Sequence, residues 1–232
     1  MYIYLYLNIF TILFPFLLSF DKRVQFYKTW KYLFPAIAIN AFIFIVWDFL
    51  FTQHGVWGFN NDYLLGIYLF NLPLEEILFF ITVPYACVFI YECLNVYIKK
   101  NYLQHGALLA TILLAIFISI IGLLHLQQLY TSVTFLFLPV ILLIHYSIFK
   151  DRLLGRFYLM YLVHLAPFLL VNGVLTSLPV VWYNNGHNLG IRLTTIPIED
   201  TMYSMVMLLI TITAFEYFRR NQKQNLPVPK FV

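Results

Sequence analysis

Long apolar runs, separated by short polar or basic stretches, dominate the pattern of side chains along the chain. Seven of these runs are about 20 residues long, which is the length that a helix needs to cross the hydrocarbon core of a bilayer. The pattern predicts helices near residues 2–20, 30–51, 74–97, 105–125, 131–149, 157–176 and 197–218. We therefore predict an all-α polytopic membrane protein with seven transmembrane helices.

The composition favours the same class. Hydrophobic residues make up 62% of the 232 residues and charged residues only 10%, whereas soluble domains carry roughly 25% charged residues. Such a chain has too little polar surface to face water on all sides. The first apolar run has neither a basic leading segment nor a small-residue cleavage site, so we interpret it as a retained span and not as a signal peptide. The basic residues lie in short clusters between apolar runs, which argues against nucleic acid as a partner.

These basic clusters also indicate how the spans alternate across the membrane. Thirteen of the 14 Lys and Arg residues lie in every second connection or in the C-terminal tail, and Arg192 is the exception. The positive-inside rule then predicts an N-terminus outside and a C-terminus in the cytoplasm. An even number of spans would break this alternation.

One acidic segment occurs twice. Residues 66–76 (GIYLFNLPLEE) and 190–200 (GIRLTTIPIED) share Gly, Ile, Leu, Pro and Glu at a constant offset of 124 residues. The predicted organisation is a first repeat of three helices, a linker helix, a second repeat of three helices and a disordered cytoplasmic tail, at residues 1–100, 101–129, 130–220 and 221–232. Because a single linker helix gives both halves the same orientation, the two acidic segments are expected at the same membrane face.

Four carboxyl groups at the start of spans 3 and 7 are the candidate catalytic residues: Glu75, Glu76, Glu199 and Asp200. Pro73 and Pro197 suit the first helical position, which places these acids in the first turn, at the positive end of the helix dipole. Helix capping accounts for one acid in each pair but not for the second. Since crowding and burial favour the protonated form of a carboxyl group, we expect one acid to donate a proton and another to accept it.

Other polar and aromatic side chains near these segments are candidates for binding a substrate: Asn40, Trp47, Asp48, Trp57, Asn71, Phe79, Asn172, Trp182, Arg192 and Tyr203. Asn40 and Asn172 occupy matching places in spans 2 and 6, where an amide bonds a neighbouring helix or orients a carboxyl group. The aromatic residues either anchor the protein at the membrane interface or wall a cavity whose rings stabilise a cation. Asp48 is either a third acid of the site or an interfacial residue.

Several other chemistries lack their motifs. The six histidines are scattered without the spacing of a metal centre, so no metal site is predicted. No glycine-rich dinucleotide fingerprint is present, and no other cofactor is evident, although the sequence leaves a flavin requirement open. Glu92 and Glu216, a second pair at the offset of 124, lie close to basic residues at the far ends of spans 3 and 7 and are interpreted as structural ion pairs.

At these residues the chain resembles the membrane-integral lycopene cyclases, in the fused form of the bacterial heterodimeric type, with two tandem cyclase domains. The resemblance covers nearly the whole chain. It rests on segments 34–36 (FPA), 47–48 (WD), 55–60 (GVWGFN), 71–76 (NLPLEE), 171–173 (VNG), 182–184 (WYN), 189–192 (LGIR) and 196–200 (IPIED). The halves are not equivalent, since Asp200 stands in place of Glu76 and Tyr203 in place of Phe79.

The resemblance implies a lycopene β-cyclase, an intramolecular lyase or isomerase of carotenoid biosynthesis in the bacterial inner membrane. Such an enzyme converts lycopene, dissolved in the bilayer, to γ-carotene and β-carotene through a carbocation, by a redox-neutral acid–base reaction. Two alternatives remain at this point. The acids are also suited to a proton relay in a small proton-coupled transporter, and the same proton donor would serve a carotenoid hydratase. The oligomeric state stays open.

Overall fold

The computed structural model of the protein describes residues 2–224, which form seven α-helices joined by short connections. Each helix lies within a few residues of a predicted span. The helices are α1 (Ile3–Leu18), α2 (Trp30–Gln53), α3 (Leu74–Tyr97), α4 (Gln104–Leu124), α5 (Leu129–Phe149), α6 (Leu154–Ser177) and α7 (Ile198–Gln224). The prediction of an all-α polytopic fold is therefore confirmed.

The lengths of the helices suit a bilayer. Six of those in the described part of the chain are long and apolar enough to cross a membrane, and α1, with 16 residues, is a shorter apolar helix. The last helix continues to Gln224. The predicted disordered tail therefore does not begin at Asn221, and the rest of it, residues 225–232, lies outside the described residues.

Each repeat has a short antiparallel hairpin immediately before its third helix. In the first repeat β2 (Tyr68–Leu69) pairs with β3 (Leu72–Pro73), and Phe70 in the turn has a positive φ of 57°. The backbone N–H of Leu74 donates a hydrogen bond to the carbonyl of Ile67 at 2.9 Å. This bond keeps Pro73 in the hairpin. The sequence had suggested that Pro73 is the first residue of the helix, but the proline lies immediately before α3.

The second repeat has the same geometry. There β5 (Arg192–Leu193) pairs with β6 (Ile196–Pro197), and Thr194 has a positive φ of 59°. The N–H of Ile198 donates to the carbonyl of Ile191 at 2.9 Å. Both third helices therefore leave an equivalent hairpin and begin with their two acids in the first turn.

A further pair of strands joins the two repeats. In this sheet β1 (Trp57–Phe59) runs antiparallel to β4 (Val181–Tyr183), with Gly58 opposite Trp182. A Cβ atom at Gly58 would come within 2.4 Å of the Trp182 ring. Glycine therefore permits the close approach of the two strands at this point.

The hydrogen bonds that flank these strands are also symmetric. The N–H of Asn60 donates to the carbonyl of Val180, and the N–H of Asn184 donates to the carbonyl of Val56, both at 2.9 Å. The members of these two bonds are related by the same offset of 124 residues. A pseudo-two-fold axis therefore passes between β1 and β4.

The helices around this axis do not pack equivalently. The pairs α1–α3 and α5–α7 match each other, and both pack along most of their length. The two middle helices differ, because α2 packs tightly against both α3 and α7, whereas α6 has a less extensive contact with α3. The core consequently lies around α2, α3 and α7, where Phe44, Phe80 and Leu208 are fully or almost fully buried.

The far ends of α3 and α7 are held together by one arginine. The guanidinium group of Arg219 forms an ion pair with Glu92 and a second one with Glu216, the latter at 3.0 Å. The repeated glutamates therefore have the structural role that the sequence predicted. Their shared partner, Arg219, is one of the basic residues at the end of α7.

Candidate active site

The first acid of each repeated pair is bound to the loop that precedes it. One oxygen of Glu75 accepts a hydrogen bond from the backbone N–H of Leu65 at 2.6 Å. In the second repeat, one oxygen of Glu199 accepts from the N–H of Leu189 at 2.7 Å and from the hydroxyl of Thr131 at 2.6 Å. Both carboxyl groups are fully buried. These two acids therefore hold their loops against the helix starts.

The second acid of the first pair points into a cavity between the repeats. Glu76 accepts a hydrogen bond from the hydroxyl of Tyr4 on α1. The carboxyl group of Asp48, from α2, lines the same cavity and interacts electrostatically with Glu76. A hydrogen bond between two carboxyl groups needs one proton between them, because a carboxylate has no donor. The arrangement suits a pair that shares a proton.

The same position in the second repeat has a different environment. Asp200 accepts hydrogen bonds on both oxygens, from the hydroxyl of Tyr130 at 2.6 Å and from that of Tyr183 at 2.9 Å. Burial and the neighbouring Asp200 carboxyl raise the pKa of Tyr183 well above its ordinary value. The Tyr183 hydroxyl consequently keeps its proton and remains a donor to Asp200.

A tyrosine of α7 supplies a hydroxyl donor to the acidic group of the first repeat. The hydroxyl of Tyr203 donates to Asp48 at 2.7 Å. Its ring lies edge-on to that of Trp57, with 5.9 Å between the ring centroids. Asp48, Glu76 and Asp200 therefore line one buried cavity of about 60 Å³, which receives side chains from both halves of the chain.

Aromatic rings form much of the wall of this acidic cavity. The rings of Trp57 and Tyr130 lie edge-on at 5.0 Å, and those of Tyr130 and Tyr183 are stacked at 6.0 Å. Phe79 and Phe168 complete the wall on the side of α3 and α6. Such a wall can stabilise a positive charge through the faces of its rings.

A lateral groove between α1, α3 and α6 continues from the acidic cavity. The groove has a volume of about 220 Å³ and a mainly apolar lining. It shares five lining residues with the cavity: Phe79, Val83, His164, Phe168 and Asn172. Its outer rim includes Phe10, Phe14 and Leu170, each about half exposed on the apolar surface of the helices. The acids are therefore connected to the region where lipid chains would surround the protein.

Seven of the sequence-predicted site residues line the acidic cavity: Asp48, Trp57, Glu76, Phe79, Asn172, Asp200 and Tyr203. Trp47 lies directly behind this wall, with its ring centroid 5.5 Å from that of Tyr203. Asp48, for which the sequence left two interpretations, is buried and lines the cavity.

Four other predicted binding residues are not among those that line the acidic cavity. Asn40 is fully buried in α2, and neither polar atom of its amide has a partner within residues 2–224. Asn71 donates to the carbonyl of Phe49. Trp182 covers Gly58 and is about half exposed. Arg192 bonds within its own loop, with its guanidinium group 5.8 Å from the centre of the Tyr183 ring.

The hydroxyl partners of the acids were not predicted from the sequence. Tyr4 and Tyr130 each donate to the second acid of their own repeat. They lie near the starts of α1 and α5, 126 residues apart, so the offset of 124 residues does not align them and the repeat alone does not predict them. His164 was set aside because it has no metal-like spacing. It lines both the cavity and the groove, and its Nδ1 atom has no partner in the described part of the chain.

The geometry does not suggest a metal centre at these acids. In residues 2–224 there is no group of three or more His, Cys, Asp or Glu side chains arranged to hold a metal ion. The described polar groups around the acids are mostly hydroxyl groups and other carboxyl groups, which can donate, accept and relay protons.

Among known protein families, the chain matches one family model over most of its length. The model described as lycopene cyclase matches the chain in two segments, residues 1–94 and residues 127–218. The two matched segments fit the internal repeat and leave α4 between them. No curated protein and no solved structure matches the chain.

Proposed function

Because the chain belongs to the lycopene cyclase family, we propose that it closes the acyclic ends of lycopene to β-ionone rings by acid–base catalysis within the membrane. One observation carries the proposal. Three carboxyl groups, contributed by both repeats, meet in a single cavity that is walled by aromatic rings and open to an apolar groove.

The reaction needs a proton donor, a proton acceptor and a dry, aromatic enclosure. A proton adds to the terminal double bond of the acyclic end and leaves a tertiary carbocation. The electron pair of a neighbouring double bond then closes a six-membered ring, which moves the positive charge onto the ring. Loss of a ring proton restores a double bond, so the product is an isomer of the substrate. The proton that enters and the proton that leaves balance, and no electron is transferred.

The proton-sharing pair of Asp48 and Glu76 is suited to the donor role. A proton held between two buried carboxyl groups is available to the cavity without a path from water. Tyr4 and Tyr203 each donate to one oxygen of one member of the pair, which leaves the other oxygen of each carboxyl group for the shared proton. We assign general acid catalysis to this pair.

Asp200 is suited to the acceptor role. Its two oxygens both accept hydrogen bonds from tyrosine hydroxyls, and such bonds stabilise the carboxylate form. A carboxylate opposite the donor pair also stabilises the positive charge of the intermediate. We assign removal of the ring proton to Asp200.

The aromatic wall protects the cation between these two steps. Trp57, Tyr130 and Tyr183 present ring surfaces around the acids, where cation–π attraction in a desolvated site is worth about 2 kcal/mol or more. Exclusion of water prevents capture of the cation as an alcohol. The buried, aromatic enclosure therefore favours cyclisation over hydration.

The distribution of basic residues supports an orientation for this site. If the basic connections face the cytoplasm of a bacterial inner membrane, the hairpins and acidic motifs lie toward the outer face. Reporter fusions at residue 100 and in the connection between α6 and α7 would test this orientation, since the first is expected inside and the second outside.

Expression in bacteria that accumulate lycopene tests the reaction. When isolated membranes that contain pre-formed, unlabelled lycopene are incubated in deuterated water, each ring formed is expected to add one deuterium, because the donated proton comes ultimately from the solvent. The cyclised carotenoid otherwise keeps the mass of lycopene, whereas a hydratase adds the mass of water. Unchanged lycopene in membranes that contain the folded protein would refute the proposal.

A further inference from the structure

The acidic cavity and the groove together constrain how a long polyene can bind. Resting on the proposed function, we infer that the site takes one end of the polyene in each binding event. The remainder of the chain lies in the groove between α1, α3 and α6, and the monocyclic product leaves through this groove before its second end can react.

The internal repeat does not produce two reaction sites. A duplicated pair of acids would allow one site in each half. In the described structure, however, Glu75 and Glu199 are bound to backbone N–H groups of their loops. The second acids, Glu76 and Asp200, face the same cavity. One set of donor and acceptor groups is therefore available to the substrate.

The counterpart of the groove on the other side of the pseudo-two-fold axis is filled. On α7 the positions that match Val83 and Ala86 carry the larger side chains of Met207 and Ile210, which are both buried. There α2 packs tightly against α7, whereas on the open side α6 contacts α3 less extensively. The tight packing of α2 against α7 therefore fills the space whose counterpart, between α6 and α3, stays open.

A polyene with two reactive ends cannot present both ends to this arrangement at once. When one end lies among the acids, the groove directs the rest of the molecule outward between α1 and α6, toward the apolar surface marked by Phe14 and Leu170. The second end is then far from the acids. The molecule must withdraw into the bilayer and turn around before the second ring can form.

Isotope dilution tests this order of events. Membranes that contain the intact protein would receive labelled lycopene together with an excess of unlabelled monocyclic carotenoid. Release after one ring predicts that the label in the bicyclic product falls toward the labelled fraction of the monocyclic pool. Labelled monocyclic carotenoid with no bicyclic product would also support release after one ring.

Two results would overturn the inference alone. One is bicyclic product that keeps the full label of the lycopene. The other is failure of the added monocyclic carotenoid to yield unlabelled bicyclic product while labelled bicyclic product forms. Absence of any ring formation would instead refute the proposed function and the inference with it.

A matched pair of substitutions tests the groove itself. Leu170 lies on the groove rim and is 55% exposed, while Leu113 on α4 is 58% exposed and lies outside the groove lining. Leu170→Trp is expected to slow ring formation several-fold by obstructing the groove, and Leu113→Trp is expected to leave the rate unchanged. Equal rates for the two variants, normalised to folded protein, would contradict a chain-binding role for the groove.

Discussion

Amide substitutions of the two adjacent acids of one motif are expected to have different effects, one on the rate of ring formation and the other on stability. Glu75 is bound to the N–H of Leu65, whereas Glu76 faces the acidic cavity beside Asp48. Glu75→Gln and Glu76→Gln are nearly isosteric changes at neighbouring positions of one helix. The comparison therefore separates the chemistry of the cavity from the anchoring of the loop.

The magnitude expected for Glu76→Gln follows from the loss of the shared proton. The amide oxygen still accepts from the Tyr4 hydroxyl, so the fold is retained. The amide has no acidic proton to share with Asp48, which removes the general acid. General acid–base catalysis contributes about 10²- to 10⁴-fold. This range corresponds to about 3–5 kcal/mol of transition-state stabilisation at 1.36 kcal/mol for each tenfold change.

The magnitude expected for Glu75→Gln is smaller and appears in stability. The amide oxygen can still accept the hydrogen bond from the N–H of Leu65. A hydrogen bond of this kind contributes about 1 kcal/mol, which sets the scale of the loss when its acceptor is altered. The variant is therefore expected to lose about 1 kcal/mol of stability and to keep its rate per folded molecule within about threefold, a change of less than 1 kcal/mol in the barrier.

Initial rates of ring formation in isolated membranes, normalised to the folded protein found by size-exclusion chromatography, measure both effects. Thermal stability of the detergent-solubilised protein gives the second quantity. The reasoning would be refuted if folded Glu76→Gln kept a rate close to that of the unchanged protein. Equal inactivity of folded Glu75→Gln would also refute it, because both acids would then belong to the chemistry.

Three further predictions address the acceptor, the strand pair and the far ends of the helices. Tyr183→Phe removes one of the two hydroxyl donors to the Asp200 carboxylate. The rate of ring formation is expected to fall roughly tenfold, which corresponds to about 1.4 kcal/mol, with little change in thermal stability. A change in thermal stability alone would contradict this role. Gly58→Ala is expected to destabilise the fold, because its Cβ atom meets the Trp182 ring at 2.4 Å, and thermal unfolding would measure the loss. An unaltered unfolding temperature would show that the Trp182 ring moves aside without cost. Arg219→Gln leaves two half-buried carboxylates without their shared cation. The loss of stability is therefore expected to lie between the roughly 1 kcal/mol of an exposed ion pair and the roughly 3–5 kcal/mol of a fully buried one. A fall in rate per folded molecule without loss of stability would contradict this structural role.

The helices and the repeat were predictable because both depend on local information. The length of an apolar run decides whether a helix can span a bilayer, and the offset of 124 residues is arithmetic on the printed sequence. The convergence of the two motifs also followed from the odd number of linking spans. Glu76 and Asp200 were consequently identified as candidates without a structure.

The division of roles within each pair was not predictable. Adjacent residues on a helix point about 100° apart, so only one of Glu75 and Glu76 could be expected to face a given cavity. Which one does so depends on the rotation of α3 about its axis, and that rotation is set by packing against α1 and α2. A single sequence carries no direct record of this angle.

The two asparagines show a second limit. Asn40 and Asn172 occupy matching places in the sequence, yet Asn172 lines the acidic cavity and Asn40 is enclosed in the core. The difference arises because α2 packs against α7 more closely than α6 packs against α3. Sequence repetition predicts equivalent positions along the chain, but it does not predict that both helices will pack at equal distances.

The strand pair of Gly58 and Trp182, together with the bridge made by Arg219, has a consequence for how the polypeptide is assembled. These two contacts join the halves at opposite ends of the molecule, and neither involves α4. Cutting the chain before or after α4 should therefore yield fragments that recombine into a working enzyme, although neither fragment alone holds a complete set of acids. The covalent connection then ensures equal numbers of the two halves and a high local concentration of each near the other. The shape of the acidic cavity is determined by the contacts between the two halves.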